Sequence, residues 1–468
     1  MDPVGAGQVQ TSPAPEPEEN PMARPRIVVV GGGFAGFHAL RTLEKTLPAD
    51  AAELVLVNPS DYLLYSPLLP DVSAGVVEPR HIAISLRQQL RRTRVVLGSA
   101  TEVDHGAQTV TVRTTDDGGA TEEVVTLSYD RLVLVPGSIT RQFDIPGVAE
   151  RAHGVKTLVE AQFLRDHLLR QLDRADALPA GPEHDAERRQ RLTVVAVGAG
   201  YTGTEIVAQL QYWLSTIASR WSRVQPSDIA WVLIDLAESV LPELGPELGE
   251  KALGALKRRG IDVRLGVTVK EARDGETELT DGSVIPSRTL VWGAGVAASP
   301  LVETLDLPLQ KGRLVVRPDL SVPGAEGVFA GGDAAAVPDL TQEGTPLTPP
   351  TAQHAQRQGT ALGRNVAASL GHGTAKPYRH HDLGLVADLG GRDAIAKPLG
   401  IKLHGPLAKL VARGYHLYAL PSMANRVRVG TDWLLAALLP AQSVEVTRIR
   451  PDQALVSTAQ QSSAHLRG

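Results

Sequence analysis

The chain of 468 residues contains no cysteine. That absence removes disulfides, thiolate metal sites and iron–sulfur clusters. It also removes any redox chemistry that runs through a cysteine pair or a sulfenate, and it is compatible with a reducing cytoplasm. Aromatic residues are scarce, at 4%. Positive charge is not in excess: the formal net charge is −5, which gives no global case for nucleic-acid binding. Long apolar runs are missing too. No window approaches the ~18–20 apolar residues that cross a bilayer, and the N-terminus lacks a basic-then-apolar signal pattern. Met1–Arg24, with Pro13, Pro15, Glu16, Pro17, Glu18 and Glu19, reads instead as a disordered tail. The remainder is ordinary for a soluble protein of two or three domains, at 43% hydrophobic and 21% charged.

Glycine is abundant, at 45 residues, and two of its clusters carry the argument. Gly31-Gly32-Gly33-Phe34-Ala35-Gly36 follows the apolar run Ile27–Val30, and Gly198-Ala199-Gly200-Tyr201-Thr202-Gly203 follows Val194–Val197. Each reads as strand, tight turn, helix. The turn must be sharp, the backbone must approach a pyrophosphate, and the helix N-terminus must present free N–H groups to the anion. Two such units in one chain predict two dinucleotides held face to face, the arrangement that passes a hydride between them.

The rest of the chain can be ordered around these units. After the first, a helix over 34–47 and the run Leu54–Val57 complete a βαβ unit that ends at Asn58. Runs at 94–97, 109–113 and 124–127 look like an antiparallel excursion, and Tyr129–Val135 reads as a buried strand closing on Pro136-Gly137-Ser138. Residues 173–190 are polar and read as a linker-like insertion. The second unit continues with a helix over 202–220, the strand Trp231–Asp235, a helix over Lys251–Arg259, a strand over 261–265 and a hairpin at Asp281-Gly282. It closes on Trp292-Gly293-Ala294-Gly295. From Asp333 the pattern is helical to about residue 370. The expected division is a tail over 1–24, a first nucleotide domain over 25–150 and 299–375, a second over 151–298, a C-terminal region over 376–440, and a loose tail over 441–468.

Single residues refine the chemistry. Asn58 stands where a ribose-binding Asp or Glu is expected, and an amide lacks the charge and second oxygen of a carboxylate. Weaker or differently anchored adenosine binding is the expectation there. Asp235 does end the second strand, with no Arg in the three residues after it. A carboxylate accepts the 2′-OH of NADH and repels a 2′-phosphate. Glu205, in the first turns of the second helix, either complements the helix dipole or sits at the meeting point of the two nucleotides. Asp333 is read as an N-cap, a hydroxyl acceptor, or both. Ala352-Gln353-His354-Ala355-Gln356-Arg357-Gln358-Gly359 places small residues beside long polar ones, which suits either a plain polar helix face or packing on a flat ring with Gln353 reaching a carbonyl. His380-His381 lacks further ligands at metal spacing, so no metal site is expected. Lys397–Thr431 holds Lys397, Lys402, Lys409, Arg413, Arg426 and Arg428 and no acidic residue. With Leu407, Leu410, Tyr415, Tyr418 and nearby Trp433, it suits an in-plane membrane helix, a dimer interface or a helix packed on the core.

Taken together, these stretches resemble the type II NADH:quinone oxidoreductases, a branch of the two-dinucleotide flavoprotein reductases. The resemblance covers about residues 26–440. It rests on Val30–Gly36, Tyr62-Leu63-Leu64-Tyr65-Ser66-Pro67-Leu68-Leu69-Pro70, Gly198–Glu205, Trp292–Val296, Phe329–Asp333 and Ala352–Gly359. It implies an α/β fold of two Rossmann-like domains with a C-terminal membrane-associating region. FAD would lie on the first loop, with Gly31, Gly33, Phe34, Ala35, Gly36, Asn58, Gly137, Asp333, Ala352 and Gln353. NADH would lie on the second, with Gly198, Gly200, Tyr201, Thr202, Gly203, Glu205, Asp235 and Gly295. Glu205 and Gln353 would serve the reaction: a hydride passes to the flavin, then two electrons pass to a membrane quinone without proton pumping. Attachment would be peripheral, on the cytoplasmic face of the cell membrane. The sequence departs from the family at Asn58 and at Arg357, where a Gln is common. A soluble NADH reductase for another acceptor, or an NADH-binding redox sensor, is the alternative expectation.

Asp235 sets a first prediction. An unpaired carboxylate beside a 2′-phosphate costs about 1–3 kcal/mol, so NADH should be preferred roughly 5- to 150-fold over NADPH. Asp235→Ser should narrow the gap. Equal catalytic efficiencies of the wild-type protein with the two cofactors would reject the assignment.

Overall fold

The computed structural model describes residues 24–115, 122–141, 143–447 and 449–457. The tail expected over Met1–Arg24 falls, Arg24 excepted, outside these residues. Two parallel five-stranded sheets organise the chain. The first runs Val328–Ala330, Arg131–Leu134, Arg26–Val30, Glu53–Asn58, Thr93–Leu97. The second runs Ala152–His153, Thr289–Trp292, Thr193–Val197, Ala230–Asp235, Ile261–Leu265. Their central strands are Val- and Ile-rich because both faces are covered: Ile27, Val28 and Val29 are fully buried, as is Val195. Each such side chain contributes about 1.5–3 kcal/mol by leaving water. A short antiparallel ribbon, Ser138–Thr140 with Val296–Ala298, links the two halves.

Four expectations are corrected. Residues 94–97 belong to the edge of the first parallel sheet, and the antiparallel excursion is built from Ser99–Asp104, Thr109–Thr115 and Glu122–Ser128. Gly98 alone separates Thr93–Leu97 from Ser99–Asp104, so the run at 94–97 lies directly beside the excursion without belonging to it. The polar stretch 173–190 is not a linker: it ends the helix Leu158–Ala177 and forms most of Pro182–Leu192. The second helix buries only Leu192, so it carries almost no apolar signature. Asp333 does not open a long helix; it sits in the short turn Gly332–Ala334, and the helix begins at Ala352, capped by Thr351 Oγ1. Finally, parts of 441–447 and 449–457 dock on the body of the protein. Arg165 donates to the carbonyls of Gln442 and Val444, Thr447 donates to Asp166, and Val456 is buried. The polar helix Leu158–Ala177 supplies these partners, so the segment needs few apolar residues to dock.

Two helices frame the first glycine loop. Phe34–Thr46 crosses Ala352–Ser369 at Gly359 and Gly363. A Cβ on Gly359 would stand 2.2 Å from the Ala35 carbonyl oxygen, and one on Gly363 would stand 2.6 Å from that of Ala39. Beyond residue 380 the chain forms a small antiparallel sheet, Val386–Asp388, Ala394–Ala396 and Leu403–His404, and two helices, Gly405–Ala419 and Met423–Leu438. Among the described residues no helix is long and apolar enough to cross a membrane.

The crossing yields a prediction. Gly359→Ala must push two backbones apart and should cost about 1–3 kcal/mol. Gly414→Ala, in a helix interior where a Cβ meets nothing within 4 Å, should be neutral or gain up to about 1 kcal/mol. Denaturant unfolding of both variants checks the contrast; a Gly359→Ala protein as stable as wild type removes the packing argument.

Candidate active site

The two glycine loops share one geometry. Gly31 and Gly198 take φ of +105° and +107°, where a side chain would be strained. A Cβ on Gly36 would stand 1.8 Å from the Gly31 carbonyl oxygen, and one on Gly203 would stand 1.9 Å from that of Gly198. These glycines let each helix start against its own strand. Gly33 and Gly200 differ: a Cβ there would meet nothing within 4 Å. Their bareness opens space instead of relieving a clash, as close approach of a pyrophosphate requires. In the second loop the buried Tyr201 hydroxyl has no hydrogen-bond partner, a polar atom left for a ligand. Both loops therefore fit a dinucleotide.

The residues ending the second strands stabilise these loops. Asn58 Oδ1 accepts from Gly32 N at 2.7 Å, and its Nδ2 donates to the Ser60 carbonyl at 2.8 Å. Asp235 Oδ2 accepts from Ala199 N at 2.5 Å, and Oδ1 accepts from Ala237 N at 2.7 Å. Asn58 thus makes the same loop contact as the acid and adds a donated bond that a carboxylate cannot make. The long interval before Asp235 is filled by the helix Tyr201–Ile217 and short turns over Ala218–Arg220 and Pro226–Asp228.

Beside the first loop, Ser138 Oγ donates to Asp333 Oδ2 at 2.6 Å and accepts from Lys156 Nζ at 2.7 Å. Gly137, at φ +77°, leaves open space next to them. Burial pushes the Lys156 ammonium down to about 8, against the opposing pull of Asp333 and Glu160. Phe34 packs edge-on against Tyr65, whose hydroxyl lies 3.1 Å from His416 Nδ1. Burial lowers His416 to about 4, so this pair is neutral. Gln353 does not stand free. Its Nε2 donates to the Gly384 carbonyl at 3.0 Å, and its Oε1 accepts from Arg357 at 2.5 Å and from Leu383 N. Gly295, at φ +74°, lies near Arg141 and Phe143.

Glu205 is half-buried and accepts from Asp388 N at 2.8 Å. Asp388 in turn is paired with Lys409 Nζ, at 2.5 Å from Oδ2. Asp71, itself buried, takes a weak bond from Gln209 at 3.5 Å. Burial first, then the Asp388 charge, raises Asp71 to about 7. Burial also pushes Glu205 well above the usual carboxylate range, with Asp388 and Asp71 adding to it. Sequence reasoning missed Asp71, Asp388 and Lys156, because each meets its partners only through the fold. It also misplaced parts of the basic C-terminal stretch. Lys409 and Trp433 point inward, Lys402 pairs with Glu247, and Arg413 lies over the Trp433 ring.

Two nucleotide loops of one design, on two parallel sheets joined by a ribbon, define a two-dinucleotide reductase. Residues 25–359 match the pyridine nucleotide-disulphide oxidoreductase family. The chain is 32% identical to the type II NADH:quinone oxidoreductase NdhA of Mycobacterium tuberculosis, over 88% of this chain and 86% of that protein. It is 31% identical to the demethylphylloquinone reductase NdbB of Synechocystis, over 89% and 97%. A solved structure of NDH2 from Plasmodium falciparum with NADH superposes with a TM-score of 0.81 at 18% identity, covering 90% of this chain and all of that one. The chain belongs to the type II NADH:quinone oxidoreductases, within the pyridine nucleotide-disulphide oxidoreductase family.

Asp71 offers a pH test. Its carboxyl is raised from 3.8 to about 7, so the folded protein holds this proton more tightly than the unfolded chain. The resulting stability is complete below the unfolded value and is lost as pH rises toward the folded one. Asp71→Asn cannot ionise, so its stability relative to wild type should rise between about pH 4 and 7, by at most about 4 kcal/mol. Denaturant unfolding across that window measures it; a pH-independent difference contradicts a raised carboxyl.

Proposed function

We propose that this chain takes a hydride from NADH on the Gly198–Gly203 loop, with FAD on the Gly31–Gly36 loop, and delivers two electrons to a quinone at a membrane surface. The repeated loop geometry, with open space at both Gly33 and Gly200, carries the reading. FAD, when bound, supplies a two-electron acceptor for the hydride and a two-electron donor for the quinone. The chain's own residues bind and position. Gly32 N–H, held by Asn58, shapes the first loop, and the Ser138–Asp333–Lys156 chain offers hydroxyl and charge partners beside it. Asp235 and Tyr201 would engage the nicotinamide nucleotide. A quinone that gains two electrons also needs two protons. Asp71 is suited to hold a proton near neutral pH, and desolvation pushes the Glu205 carboxyl in the same direction. Gln353, locked between Arg357 and Gly384, would border the acceptor side.

The two C-terminal helices support the membrane assignment through their apolar faces more than through charge. Leu407, Leu410, Tyr418, Met423, Val427, Leu434 and Leu438 are each more than half exposed. A contiguous apolar face of that kind marks a membrane or partner surface. Arg428 is exposed beside it. A lipid-soluble acceptor and a water-soluble donor meet only at the boundary, and the NADH supply puts that boundary on the cytoplasmic side.

One variant separates chemistry from docking. Leu410→Asp with Leu438→Asp should leave flavin bleaching by NADH and reoxidation by a water-soluble quinone intact. Turnover with a long-chain quinone in vesicles should fall at least about tenfold, since each buried leucine contributes about 1.5–3 kcal/mol. Vesicle co-sedimentation should fail in parallel. If wild type ignores vesicles and sediments as a dimer, the face is a subunit interface; if no quinone reoxidises the flavin, the acceptor assignment fails.

A further inference from the structure

A cavity of about 660 Å³ opens between the helix Ala352–Ser369 and the loop that follows it. No residue of either glycine loop lines it. Arg357, Arg364, His372, Lys376 and Arg379 do, and no Asp or Glu is among its lining residues. Among the described residues, the Arg364 guanidinium and the Lys376 ammonium have no hydrogen-bond or ion-pair partner. Four permanent cations around one cavity, with no acid to balance them, raise a local positive potential.

The cavity is also fixed in place. Asn365, 2% exposed, accepts from Lys376 N at 2.9 Å and donates to the Lys376 carbonyl at 2.9 Å and the Asp319 carbonyl at 2.7 Å. Tyr378 N donates to the Pro318 carbonyl at 2.7 Å, and His372 N to the Ala367 carbonyl at 2.9 Å. Gly371 and Gly373 turn the loop at φ of +85° and +105°. The loop that carries Lys376 and Arg379 is therefore held against the helix before any ligand arrives, which lowers the ordering cost of binding.

We propose that this cavity binds a ligand carrying two or more phosphate groups. Arginine's planar fork matches phosphate oxygens, and Lys376 adds a point charge. Arg357 and Arg364 lie two turns apart on one helix face, about 10 Å along the axis. With Lys376 and Arg379 on the facing loop, they supply more donors than the oxygens of one phosphate can use. The site goes beyond the redox assignment, and only one consequence rests on it. Arg357 donates to Gln353 Oε1, and Gln353 Nε2 donates to the Gly384 carbonyl. A phosphate that recruits Arg357 competes with this clamp, so occupancy would be felt on the acceptor side of the flavin.

Calorimetric titration with inorganic triphosphate tests the site. The FAD-loaded protein is first saturated with NAD⁺, so that the second glycine loop is filled, and ionic strength is held constant. Wild type should bind. Arg364→Ala with Lys376→Ala, both at exposed positions, should weaken binding at least tenfold and leave NADH affinity unchanged. No binding by wild type, or equal binding by the double variant, overturns the proposal. A second arm separates a free nucleotide from a lipid headgroup. Vesicles carrying a two-phosphate lipid are compared with vesicles of equal charge built from a one-phosphate lipid. A wild-type preference that the double variant loses assigns the site to the headgroup. Triphosphate binding without that preference assigns it to a soluble polyphosphate.

Discussion

Buried charge at the junction of four chain segments is the constraint on which the rest depends. Asp71 comes from the first nucleotide half, Glu205 from the helix of the second, Asp388 from the C-terminal sheet, and Lys409 from the helix after it. None of these can be removed from water cheaply alone. A buried ion pair that loses one partner costs about 3–5 kcal/mol, because the other charge is left uncompensated. Asp388 needs Lys409, and Glu205 needs the Asp388 N–H. Each segment is therefore held in register by the others. The same crowding that costs stability pushes the Asp71 and Glu205 carboxyls upward, so each holds its proton more tightly than a free carboxyl does.

What the sequence made legible was local. The glycine loops could be read because strand, turn and helix are contiguous, and each glycine answers a constraint a few residues away. Asn58 and Asp235 could be located for the same reason, at the ends of strands that follow those loops. Their contacts could not. That Asn58 Oδ1 would hold Gly32 N–H as Asp235 holds Ala199 N–H follows from the register of paired strands, not from residue type. Lys156, Asp71 and Asp388 carry no motif. Asp71 meets Gln209 across 138 positions of chain, and Glu205 meets Asp388 across 183. Long-range polar contacts of this kind leave no periodic trace.

The C-terminal stretch shows how a correct composition can mislead about direction. Its six Lys and Arg residues and its leucines suggested charge facing a membrane. The folded helices put them to different uses. Lys409 is buried on Asp388, Arg426 donates to the carbonyls of Leu420 and Tyr418, and Lys402 pairs with Glu247. The apolar residues of the same helices are left outward, with Leu410 at 69% and Leu438 at 70% exposure. Lys409 faces in while Leu410 and Leu438 face out, although Arg428 stays exposed and Val429 and Trp433 are buried, so the pattern is mixed and not that of a plain surface helix in water.

That arrangement joins the two ends of the molecule into one argument. An outward apolar face gains stability when another apolar surface covers it, while an inward ion pair is stable only if the C-terminal helices stay docked on the nucleotide halves. Lys409 and Leu410 are neighbours on one helix, so the first requirement cannot be met by peeling the helix away without breaking the second. The docking surface and the buried carboxylates must therefore move as a unit. The contacts from Glu205 through Asp388 to Lys409 then last only while Leu410, one position further on, stays turned outward on the same docked helix.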